Sequence, residues 1–192
     1  MTNSMITPDT AAAAFVAPSA ELYGDVRLHP GSSIWPQAVL RGDALHIEVG
    51  AYSNLQDFVM IHVGAGTPSV IGRYCSITHH VTVHGATIGD HCLIGINATL
   101  MDGAVIGENS IVAGQSIVRE GQIVPPNSIV AGVPAKVVGT RNNGAANKIN
   151  ALAYFENAQA FARGHHRRWA DPDFAELQAQ WARRIPAEFG DS

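Results

Sequence analysis

Between Ile88 and Val130 an aliphatic residue returns at every sixth position: Ile88, Ile94, Leu100, Ile106, Val112, Val118, Val124 and Val130. An α-helix turns about 100° per residue and would scatter such a set around its circumference. Six is a multiple of the two-residue strand period, so a strand path keeps all of them on one face. Small or polar residues stand two positions ahead, at Cys92, Ala98, Ala104, Ser110, Ser116, Gln122 and Ser128, with Thr87 one position ahead of Ile88. Glycine follows several of the aliphatics, at Gly89, Gly95 and Gly107, and small residues with glycines suit tight corners. A fixed short repeat of this kind predicts a β-solenoid.

Upstream the pattern is less even. Residues 1–21 form an irregular lead-in, with no period from Met1 to Pro18 and the repeat starting near Leu22. Leu28, Ile34 and Leu40 keep the step, Ile47 comes one residue late, and Ser53 and Val59 continue from it, which predicts one extra residue at a corner near His46. The stretch from Gly64 to Val70, GAGTPSV, reads as a loop thrown out from the coil. Ile71, Ile77 and Val83 resume the ladder, which loses one residue before Ile88. At ~18 residues per coil, Leu22 to Val133 makes about six coils, and the solenoid domain is set at 22–139.

Residues 140–192 are predicted as a linker and two helices. Arg141 to Asn147 is polar; Ile149, Leu152, Phe155, Ala158 and Phe161 then suit one amphipathic helix. Asp171-Pro172 reads as an N-cap and first helical residue, with Phe174, Leu177, Trp181 and Ile185 on one face after it. An open solenoid end exposes core, so these helices are expected to cap it or pack along a face.

Charged residues make up 15% of the 192 and the net charge is −4. Nucleic acid and anionic membranes need a concentrated basic surface, so neither is an expected partner. The low charge leaves weakly polar surface of the kind an oligomer covers. No stretch approaches the ~20 apolar residues of a membrane span. The Ala11 to Ala14 run lacks a basic flank and soon meets Pro18, so no export signal is read and a cytoplasmic setting is expected. Cys75 and Cys92 should then stay reduced, as compact buried residues stacked on successive coils.

Residues that serve only the coil should look alike from coil to coil. The departures concentrate at Arg41, Asp43, Asn54, Gln56, Asp57, His62, His79, His80 and His84. Asp57 takes a corner slot filled elsewhere by Ala, Ser or Cys, and a carboxylate there must be hydrogen-bonded or ion-paired. His62 and His79 are 17 residues apart, a spacing that can place them one coil apart, and with His84 they could converge. Three imidazoles plus a water make an open, catalytic type of zinc site. His29, His46, His91, His165 and His166 are assigned to the surface.

The text LRGDALHIEVGAYSNLQDFVMIH, Leu40 to His62, followed by THHVTVH, Thr78 to His84, resembles the γ-class carbonic anhydrase family. The resemblance rests on Arg-x-Asp, Asn-x-Gln-Asp, a histidine five residues beyond that Asp, and His-x-x-x-x-His, in that order, and it extends from about Val16 to Phe161. It implies a left-handed parallel β-helix with three hexads to a triangular coil, whereas general preference would favour right-handed crossovers. The ending VAGVPAKVVG resembles that of hexapeptide-repeat proteins, where Pro134 would stop the coil. Further implications are a homotrimer with metal at the subunit interfaces, His62 and His84 coming from one subunit and His79 from its neighbour. The metal would be Zn2+, with Fe2+ or Co2+ also acceptable to three imidazoles. Gln56 would orient the nucleophile or substrate and Asn54 line the pocket; Arg41, Asp43 and Asp57 would form a charge cluster linking subunits. Tyr154 would match a tyrosine reaching in from the C-terminal helix. The implied reaction is reversible hydration of CO2 to bicarbonate.

Two departures touch the rate. Ala44 stands where the best-characterised carbonic anhydrases of this class carry glutamate, and GAGTPS, Gly64 to Ser69, lacks the carboxylate of their proton-shuttle loop. His80 is a candidate substitute relay or a plain exposed corner residue. Three other readings compete: an acyl-CoA thioesterase using the same metal, with Lys136, Arg141 and Lys148 near the CoA phosphates; a hexapeptide acyltransferase with a single histidine base; and a non-catalytic trimeric scaffold.

Overall fold

A computed structural model describes residues 6–190, and the aliphatic ladder is wound into a parallel β-solenoid of about six turns followed by two helices. The first face stacks Phe15–Val16, Ser33–Ile34, Asn54–Leu55, Ser76–Ile77, Leu93–Ile94, Ile111–Val112 and Ser128–Gly132. A second face stacks Met60–His62, Thr82–His84, Thr99–Leu100 and Ile117–Val118; a third stacks Ser69–Ile71, Thr87–Ile88, Val105–Ile106 and Ile123–Val124. The long strand Val39–Val49 belongs to both of these, running through the corner between them beside Glu21–Leu28.

The core is one column per face. Ile34, Leu55, Ile77, Ile94, Val112 and Val130 are in register on the first face. Leu40, Ile61, Val83, Leu100 and Val118 form the second column. Val49, Ile71, Ile88, Ile106 and Val124 form the third. All are buried, each contributing roughly 1.5–3 kcal/mol of transfer free energy.

Three sequence expectations shift here. The column runs Val49, Leu55, Ile61, whereas Ile47, Ser53 and Val59 occupy buried slots two residues ahead of it. The chain therefore inserts three residues between Leu40 and Val49, not one, and the paired strand shifts register at the same place, between Gly24 and Val26. The coil path also begins earlier than Leu22, because Phe15–Val16 already pairs with Ser33–Ile34. Glycines 89, 95 and 107 have no left-handed backbone; a Cβ on Gly107 would collide with the Pro126 nitrogen on the next coil, so close stacking explains it. Left-handed backbone falls instead at other glycines, Gly31, Gly103 and Gly121 among them, and at the non-glycine residues Gln37, Tyr52, Phe58, Tyr74, His80, His91, Asn97, Asn109, Gln115 and Asn127.

The small corner slots have a chemical use. Ser53 Oγ donates to the Gly72 carbonyl at 2.7 Å, and the Cys75 and Cys92 thiols donate to the Gly89 and Gly107 carbonyls at 3.1 and 3.2 Å. Both thiols are free and buried, and burial pushes the Cys75 thiol well up. Cys75→Ser is expected to change stability by less than ~1 kcal/mol in denaturant titration, since serine already fills the equivalent slot. In the native protein neither thiol should react with a thiol reagent, and both should react after unfolding.

Helix α1, Gly144–Ala162, lies on the first face with Asn147, Ala151 and Ala158 buried, and Gly144 is buried at its start beside Phe189 and Asn109. It starts inside the predicted linker because these small residues let the helix approach closely, which leaves no large apolar stripe to read there. Helix α2, Phe174–Arg184, begins two residues later than predicted, and Asp171 is engaged by His165 and Arg168 instead of capping it. No helix among the described residues is long and apolar enough to cross a membrane.

Candidate metal centre

Strand alternation sends Ile61 and Val83 into the core and their neighbours His62 and His84 outward, on the second face. The two histidines are register partners one coil apart. His62 Nδ1 lies 3.1 Å from His84 Nε2, with ring centroids 5.1 Å apart. A carboxylate meets the far side of each ring. Asp43 Oδ1 is 3.0 Å from His62 Nε2, and Asp102 Oδ1 bonds His84 Nδ1. Asp43 reaches this position from the three-residue insertion, and Arg41, register partner of His62, pairs with it. The hydrogen bond to His62 is the main reason the Asp43 carboxyl sits below its ordinary range, with Arg41 adding to it against the opposing effect of desolvation.

A second group gathers on the first face and its corner. Gln56 Nε2 donates to Asn54 Oδ1 at 3.0 Å, Asn54 Nδ2 to Ser76 Oγ at 3.0 Å, and Ser76 Oγ to Asn150 Oδ1 of α1 at 2.7 Å. This directed chain fixes which way the buried Gln56 amide is turned. Asp57 pairs with His79 Nδ1 at 3.1 Å. It is a third exposed, so it lies outside the buried small slot where the sequence suggested it, and its ion pair supplies the partner expected there. Tyr154 packs edge-on against Trp35 and Trp169, and burial, with the Asp57 charge, pushes its phenol up to about 12. His80 is exposed and stacks on Phe58.

The nine predicted site residues thus separate into two sets: Arg41, Asp43, His62 and His84 on one, Asn54, Gln56, Asp57, His79 and Tyr154 on the other. The 17-residue spacing does not stack His79 on His62, because the loop after His62 lengthens that coil and makes His84 the partner. Among the described residues no three His, Cys, Asp or Glu side chains of the chain form a metal cage. The facing pair nevertheless suits a metal. With a metal in place each carboxylate would take one ring N–H, so that Nδ1 of His62 and Nε2 of His84 would offer their lone pairs to one gap. Two nitrogens on a tetrahedral zinc at ~2.0–2.1 Å lie about 3.3 Å apart, close to the observed separation.

Residues 85–120 match the family model described as bacterial transferase hexapeptide (six repeats). A crystal structure of a hexapeptide transferase family protein from Anaplasma phagocytophilum superposes with a TM-score of 0.72 at 34% identity, covering 83% of this chain and 93% of that one. The chain belongs to the hexapeptide-repeat family. Within it, this hexapeptide-repeat protein is 48% identical over 99 residues to "Gamma carbonic anhydrase 3, mitochondrial" of Arabidopsis thaliana, spanning 48% of the chain and 38% of that protein. It is 45% identical over 85 residues to "Probable carbonic anhydrase" of Methanocaldococcus jannaschii, spanning 44% of the chain and 54% of that protein. The matches thus span about two fifths to about half of these curated relatives.

Asp102 carries no signal of its own in the sequence. Asp102-Gly103 looks like an ordinary turn, and Glu120-Gly121 repeats it one coil on, where the Gly121 N–H donates to the Asp102 carbonyl. Only the register that brings it beside His84 distinguishes it. Lys148, one of the candidate contacts for CoA phosphates, is already engaged by Glu188 and sits over the Tyr74 ring at 4.8 Å.

Proposed function

We propose that this hexapeptide-repeat protein is a metal-dependent, γ-carbonic-anhydrase-like hydratase acting on CO2 and bicarbonate. Its site is completed between subunits of a homotrimer. His62 and His84 of one protomer would hold Zn2+, or Fe2+ or Co2+, together with His79 of the neighbour. The observation that carries this reading is the facing His62–His84 pair, each ring backed by a carboxylate, while the third histidine stands on another corner with Gln56. The metal, when bound, lowers the pKa of water from ~15.7 to near 7 and so supplies a nucleophile at neutral pH.

The neighbour's contribution would be more than a ligand. Gln56, turned by the Asn54–Ser76–Asn150 chain, presents an amide fixed in orientation to position water or substrate. Asp57 holds the His79 ring, and Asn54 lines the same side. Burial pushes the Tyr154 phenol up to about 12, which suits packing or a donated hydrogen bond near neutral pH. With Ala44 and a carboxylate-free Gly64–Ser69 loop, proton export is the expected slow step.

The test is metal content per chain on anaerobically purified protein beside stopped-flow CO2 hydration of the same sample. About one metal per chain with hydration that disappears on chelation and returns with Zn2+ is the expected result. Metal without hydration would point to a different substrate, acyl-CoA thioesters first. The transferase reading draws support from the Anaplasma relative, a hexapeptide transferase family protein. It requires only a single histidine base, so acyl transfer that survives chelation would favour it.

A further inference from the structure

Building on that metal site, we propose that Asp102 is a positioning residue for His84, the counterpart of Asp43 for His62. Its carboxylate accepts from His84 Nδ1, which fixes the ring's rotation and leaves Nε2 turned toward His62. The backbone holds Asp102 from both sides: its carbonyl accepts from Gly121 N at 2.8 Å, and Gly103 N donates to the Gly85 carbonyl at 2.8 Å.

The loop after His62 is shaped around this carboxylate. A Cβ on Gly64 would collide with Asp102 Oδ1, and one on Gly85, where φ is +60°, would lie 2.8 Å from it. Gly64 N closes the turn on the Thr67 carbonyl at 2.8 Å. Thr67 Oγ1, buried beside both glycines, makes no hydrogen bond among the described residues and so does not compete for the carboxylate. Two side-chain-free backbone positions thus clear the space in which Asp102 meets His84. A solvated turn aspartate would need neither.

Carboxylates behind ligating imidazoles set ring orientation and raise ligand basicity, and their removal typically weakens metal binding roughly 10–100-fold. The test uses the full chain and Co2+, read by competition with a chromogenic chelator and by the visible absorption of the bound ion, with far-UV circular dichroism as the check on folding. Asp102→Ala is expected to bind Co2+ about 10–100-fold more weakly with an altered visible band. Asp102→Asn should recover most of the affinity, because its amide oxygen accepts the same N–H. Gly64→Ala, which displaces the carboxylate without removing it, should resemble Asp102→Ala and serves where that variant fails to fold. Glu120→Ala, at the equivalent corner one coil on, should match the unsubstituted protein. Co2+ affinity and spectrum unchanged in Asp102→Ala, or in Gly64→Ala, would overturn the role of Asp102 and leave the metal site standing. No Co2+ binding by the unsubstituted protein would overturn the metal site itself, and this role with it.

Discussion

His79→Ala is expected to lower metal affinity by more than ~100-fold while leaving the solenoid folded, a loss larger than that from removing a carboxylate behind a ligand. The fold should be indifferent because His79 lies at a partly exposed corner, where its pair with Asp57 is worth at most about 1 kcal/mol. His84→Ala should lose metal equally, although the two residues stand in different places on the chain. Mixing these variants separates the inter-subunit site from any site within one chain. In randomly mixed trimers, about one interface in four joins an intact His79 to an intact His62–His84 pair, so about a quarter of the metal capacity should return. Mixed trimers that bind nothing would exclude completion by a neighbour, and full metal stoichiometry in His79→Ala alone would show that the ligand assignment is wrong.

The division of the site could be read in the sequence only through resemblance; the fold could be read from spacing. From Ile88 onward one aliphatic per six residues fixes which residue faces the core, and the register pairs Ile88 with Ile106 and Ile94 with Val112 accordingly. Between Leu40 and Ile61 the same logic chose Ile47, Ser53 and Val59 over Val49, Leu55 and Ile61. The two sets differ by two residues, which preserves the side of the strand, and all six residues are buried. Hydrophobicity therefore cannot tell the mid-strand column from the corner slot. That ambiguity concealed the length of the insertion from which Asp43 reaches His62. Asp102 was hidden differently: nothing in an Asp-Gly pair shows that a histidine of the preceding coil lies above it. The start of α1 is not legible because its buried residues there are glycine, alanine and asparagine, not large aliphatics.

Gln56→Ala is expected to keep one metal per chain and lose turnover by roughly 10–100-fold, through kcat more than KM, the signature of an interaction that counts in the transition state. Gln56 is 2% exposed although no aliphatic packing requires an amide there. Its orientation is transmitted from α1 through Asn150, Ser76 and Asn54, so truncation also leaves Asn54 Oδ1 without its donor, at a cost of about 1–3 kcal/mol in stability. Asn150→Ala separates the two effects. It keeps the Gln56 side chain but removes the acceptor that turns Ser76, so turnover should fall by less than in Gln56→Ala, with metal content unchanged. A Gln56→Ala protein that is less stable yet turns over normally would reduce the whole chain of amides to a device for seating α1 on the solenoid. Loss of turnover with metal retained in both variants would instead make that helix part of the catalytic apparatus.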